Sequence, residues 1–152
     1  VNLLLLRPIL KPDHAKLSEA YEVAADVFRT IDAVTIRIPK FFQYDGSSLP
    51  MPAWPVFGTP FSPRLMGASV FHDWLYHTHQ VTKEIADNLF HDMLVADGLD
   101  PLMAKMMKSA VTDFGDASWK NDARDRDYIG RLMQRIAADG RNPADYGLGL
   151  MV

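Results

Sequence analysis

Phe71-His72-Asp73-Trp74-Leu75-Tyr76, followed by Ile85-Ala86-Asp87-Asn88-Leu89-Phe90, is the stretch on which the fold turns. Met66, Val70, Phe71, Trp74 and Leu75 recur at three- and four-residue spacing, which predicts one amphipathic helix from Leu65 to His77. Thr82 has the chemistry of an N-cap with Glu84 close behind, and a second helix runs through Ile85, Leu89, Phe90, Met93 and Leu94 to a stop at Gly98. Only Thr78 to Val81 separate the two, so they are expected to pack as an antiparallel, short-loop hairpin. Counting outward from that connection, His72 and Asp87 fall at the same level and face each other. His72 and Tyr76, four apart, share a face, while Asp73 stands about 100° round the helix between Ser69 and His77.

Working outward, Asp100 as cap and Pro101 at the first helical position open a third helix that continues to about Phe114 and Gly115. The charged run Lys120 to Asp127 enters a fourth, with Tyr128, Ile129, Leu132, Met133 and Ile136 on its apolar face and an end at Gly140. Towards the N-terminus, residues 17 to 50 read as β. Val34 to Ile38 alternates strictly and is β-branched, Tyr21 to Phe28 alternates unevenly, and the two are expected to form a hairpin around Thr30 to Ala33; helix is the alternative for Ser18 to Phe28. A turn at Asp45-Gly46 follows. Between Pro50 and Pro63 lie five of the ten prolines, interleaved with Trp54, Phe57 and Phe61, a loop whose aromatics either plug the core or form a lid or interfacial anchor. The expected fold class is α+β, one domain over residues 1–152 with a small antiparallel sheet packed on a bundle of about four helices.

A chain of 152 residues with 48% apolar and 23% charged residues can bury a core without cross-links. Cysteine is absent, which excludes disulfides, thiolate metal sites, iron-sulfur clusters and a cysteine nucleophile. The net charge of −3, with 16 basic residues spread along the chain, offers no footprint for a phosphate backbone, so no nucleic-acid partner is expected. Leu3 to Leu6 is far too short for a membrane span or a secretory apolar region, so neither a transmembrane segment nor a signal peptide is expected. It reads as an edge strand or as a segment covered by a neighbouring chain, which makes self-association an expectation.

An imidazole, an adjacent carboxylate, a phenol and a second carboxylate on consecutive helices are the parts of a general base, its orienting partners and a hard-cation ligand. A carboxylate opposite a histidine fixes its tautomer and raises its basicity, leaving the other ring nitrogen to take a proton from water. The same residues can equally form a satisfied polar network that locks the hairpin without chemistry. His77, His79 and His91 match no zinc spacing and read as surface histidines.

The run Phe41 to Pro50 with its Asp45-Gly46 turn, then His72-Asp73-Trp74-Leu75-Tyr76, Ala86 to Phe90, and Val111 to Gly115 with Trp119 resembles the domain of unknown function 1353 family of bacteriophages and prophages. Tyr44 and Ser47 depart mildly from its usual Thr and Ala. The resemblance implies a phage or prophage origin, a virion or host-cytoplasm location before assembly, and phage structural proteins as partners, without a settled activity. A second, local likeness is to the paired helices of phospholipase A2 enzymes, which read His-Asp-x-x-Tyr and Asp-x-x-Phe. It implies that His72 activates water, Asp87 orients His72, Tyr76 bonds Asp87, Asp73 ligates Ca²⁺, and Tyr44 to Ser48, with Asp45, stands in place of the calcium loop. A membrane or envelope lipid is then the implied substrate. The glycine-rich loop and the disulfides of those enzymes are missing, and the stretch between turn and helix is longer. Two functions follow: a phage-associated protein with a calcium-assisted hydrolase centre, or a non-catalytic tail or virion component braced by the same residues.

Overall fold

The computed structural model describes residues 4–9, 21–44, 55 and 63–150. The Asp45-Gly46 turn and the loop aromatics Trp54, Phe57 and Phe61 lie outside them. Antiparallel strands from the N-terminal half and helices from the C-terminal half make the chain α+β. It divides into two compact units, Val1–Asp45 with Arg126–Val152, and Gly46–Asp125.

In the first unit the strands are β1 (Leu6–Pro8), β2 (Tyr21–Val23), β3 (Val27–Ile31), β4 (Val34–Ile38) and β5 (Gln43–Tyr44). They form two sheets, an antiparallel β1-β2-β5 sheet with β1 at its edge, and a separate β3–β4 hairpin. The sequence pattern placed one strand over Tyr21 to Phe28. The chain instead breaks after Val23, because the Asp26 carboxylate turns to accept the Lys40 amide at 2.8 Å and bonds with Arg141 and Tyr146. The hairpin has the alternation its residues dictate, with Val27, Ile36 and Ile38 buried and Phe28, Thr30, Thr35 and Arg37 outward. Its two-residue turn, Asp32-Ala33, holds both residues at positive φ, 46° and 64°, the twist that joins two right-handed strands.

The second unit holds α1 (Pro63–Thr78), α2 (Lys83–Ala96), α3 (Pro101–Phe114) and the short α4 (Asp116–Trp119); α5 (Asp122–Ala138) begins in it and continues in the first unit. Thr82 Oγ1 accepts the Ile85 amide at 3.3 Å, and Asp100 Oδ1 accepts those of Leu102 and Met103, as the capping residues require. Gly98 closes the second helix at φ 88°, where a side chain would be strained. α1 departs from the amphipathic expectation: every residue from Ala68 to Thr78 is buried. α2 and α4 both pack on it, so its polar residues, Ser69, His72, Asp73, His77 and Thr78, face protein rather than water. Among the described residues no helix is long and apolar enough to cross a membrane.

Candidate functional site

The α1–α2 connection brings the two helices together in the order the residue count dictates. His72 meets Asp87, and one turn nearer the connection Lys83 lies over the Tyr76 ring at 5.9 Å. His72 Nε2 is 2.9 Å from Asp87 Oδ1, and the Tyr76 hydroxyl donates to the same oxygen at 2.8 Å. The other oxygen, Oδ2, accepts from Lys83 Nζ at 3.0 Å and from Thr112 Oγ1 on α3 at 3.1 Å. Lys83 is itself held by the Val111 and Thr112 carbonyls. Asp87 is therefore a hub of four donors from three helices.

Electrostatics then fix the protons. Burial alone would raise the Asp87 pKa, but hydrogen bonds from His72, Tyr76 and Lys83 outweigh it and hold the carboxyl below its ordinary value. An ionised carboxylate only accepts, so His72 Nε2 must carry hydrogen and donate it. Burial is also the largest influence on His72, and with Lys83 it keeps the imidazole below its ordinary pKa against the pull of Asp87. The ring is neutral near pH 7, and its lone pair sits on Nδ1. His72 is 1% exposed, and Nδ1 has no hydrogen-bond partner among the described residues. Tyr76, pushed up by burial and by Asp87, remains a neutral donor.

Aromatic packing holds the ring in place. The His72 ring lies between Tyr76, with centroids 4.2 Å apart, and Phe90, stacked at 4.5 Å. Trp119 meets Tyr76 edge-on at 5.2 Å. A Cβ at Gly115 would come within 2.7 Å of the Tyr76 hydroxyl, so glycine leaves the phenol its room.

Asp73 lies on the other side of α1, 0% exposed, in a second cluster that sequence reasoning missed. His77, read as a surface histidine, is buried; its Nδ1 is 2.7 Å from Asp125 Oδ1, and its Nε2 is 3.9 Å from Asp73 Oδ2. The reason is the burial of α1 on all its faces. Burial would lower the His77 pKa, but the Asp125 hydrogen bond and the charges of Asp73 and Asp125 outweigh it and raise it. His79 and His91 are partly exposed, the former stacked on Trp119 at 4.1 Å and the latter bonded to Asp92. Asp125, hidden in a charged run, gave no signal in the sequence; Lys83 sits four residues before Asp87, a spacing that marks it.

A hard divalent cation takes six to eight oxygen ligands. Among the described residues no group of three or more His, Asp or Glu side chains can hold a metal, and the Asp73 carboxylate is engaged with His77. Asp45, the other expected ligand, lies outside the described residues. The described residues thus do not compose a cation site.

Two curated relatives from Sinorhizobium fredii are similar to this chain. The uncharacterized protein y4iH is 35% identical over 85 residues, 56% of this chain and 36% of the relative. The uncharacterized protein y4jT is 32% identical over 96 residues, 62% of this chain and 29% of the relative. The matched stretch thus spans about a third of the length of these relatives. No solved structure matches the chain. The model of the family described as protein of unknown function (DUF1353) matches residues 21–111, a span that takes in both the His72 helix and the Asp87 helix, and the chain belongs to that family.

Proposed function

We propose that the protein is a phage-associated hydrolase in which His72 is the general base. The observation that carries this reading is a buried, neutral imidazole whose Nε2 is fixed by Asp87 and whose Nδ1 has no partner among the described residues. A buried nitrogen without a partner costs about 1–3 kcal/mol, and proteins keep such groups chiefly where a ligand or water completes them. In the reaction Nδ1 takes a proton from water, the water oxygen attacks an ester carbonyl, and the proton passes to the leaving alkoxide as the ester C–O bond breaks. Asp87 stabilises the imidazolium, and Tyr76 holds Asp87 in register. The phospholipase A2 likeness favours lipid esters as the substrate class, and the family resemblance favours a virion, tail or host-envelope setting.

The non-catalytic reading also has an observation behind it, the full set of four donors on Asp87, which braces three helices whether or not chemistry occurs. Hydrolysis of phospholipid vesicles and simple aryl esters, with and without added calcium, separates the two. His72→Gln should lower the rate at least about 100-fold while far-UV circular dichroism stays unchanged. No hydrolysis by the wild type under either condition, or equal hydrolysis by both proteins, leaves the bracing role.

A further inference from the structure

A cleft of about 770 Å³ lies in the first unit, lined among others by Asp26, Phe28, Arg37, Arg141, Asp145 and Tyr146. That volume falls within the range of small-molecule sites, roughly 300–1,000 Å³. Its charges divide into committed and uncommitted groups. Asp26 accepts the Lys40 amide, Arg141 Nη1 and the Tyr146 hydroxyl, and Arg141 Nε is bound to Asp139 at 2.9 Å. Arg141 Nη2 is shielded from solvent and has no acceptor among the described residues. Arg37 forms no ion pair with any described residue; its guanidinium lies 5.9 Å from the centroid of the Phe28 ring, and that ring is 41% exposed.

The cleft therefore offers the Arg37 guanidinium beside an aromatic surface, while Arg141 is committed to its walls. Two aspartates and two arginines line it, so its charge balances and it disfavours polyanions. A single carboxylate suits an arginine fork, whose parallel N–H groups match its two oxygens. We propose that this cleft binds a small monocarboxylate with an aromatic body, the carboxylate on the Arg37 guanidinium and the ring against Phe28.

The test is a titration of the ¹⁵N-labelled protein, followed by amide chemical shifts, with phenylpropanoate, its uncharged amide, a tripeptide ending in phenylalanine, and inorganic phosphate. Phenylpropanoate should give saturable shifts at Val27, Phe28 and residues 140–146, and its amide should give none. Arg37→Gln, on an outward position of β4, should weaken binding at least about tenfold, the scale of one charge-assisted contact. Tighter binding of the tripeptide than of phenylpropanoate would assign the same chemistry to a peptide C-terminus. Equal shifts with the amide, an undiminished affinity in Arg37→Gln, phosphate binding as tight as phenylpropanoate, or no saturation in the millimolar range would each overturn the proposal.

Discussion

At the scale of single residues, the state of His72 is set by what surrounds it. An anion on one side and aromatic rings on both faces leave it one tautomer, one orientation and one available lone pair. Asp87 is the residue on which that arrangement depends. Asp87→Ala would remove the acceptor of His72, the Tyr76 hydroxyl and Thr112 at once and leave the Lys83 ammonium held by the Val111 and Thr112 carbonyls. Removing one partner from a buried charged network costs about 3–5 kcal/mol, and urea unfolding should show a fall in midpoint on that scale. Asp87→Asn keeps the shape but turns an amide towards four donors, so it should recover only part of the loss.

At the scale of elements, the Asp32-Ala33 turn carries strain that a single substitution can remove. Ala33 stands at φ 64°, where a side chain costs about 1–2 kcal/mol. Glycine avoids that cost but gives back some of the gain through the unfolded chain, so Ala33→Gly should raise stability by up to about 1 kcal/mol in thermal unfolding. Ala33→Val should lower it. The elements also show what the sequence made legible. Caps and spacing located the four long helices, and the short connection between α1 and α2 was enough to set His72 opposite Asp87, because register across a tight hairpin is a matter of counting. Longer connections allow no such count. Thr112 and Asp125 reach the clusters from 25 and 48 residues away from Asp87 and His77 respectively, and nothing local marks them. The break after Val23 was hidden for the same reason, since Asp26 is drawn aside by Arg141 and Tyr146 at the far end of the chain. The burial of α1 is not legible from its spacing, because a helix wrapped by neighbours can carry polar residues wherever they find partners.

For the molecule as a whole, the two histidine clusters impose opposite pH dependences. His77 has its pKa raised in the fold from the ordinary 6.5. Its contribution is fully present below that value and is lost as pH rises through the folded pKa. His72 has its pKa lowered. Below 6.5 the unfolded chain takes up a proton that the buried imidazole refuses, so stability falls on acidification. Asp87, held below its ordinary 3.8, adds a further loss only as pH falls through its folded pKa. Urea midpoints measured between about pH 5 and pH 9 should therefore pass through a maximum. His77→Gln should flatten the alkaline limb and His72→Gln the acid limb.

Three helices meet on the one Asp87 carboxylate, and none of them can swing away without leaving a buried anion short of a donor. Their backbone amides should accordingly trade hydrogen for deuterium together, through one opening event rather than by separate fraying of each helix.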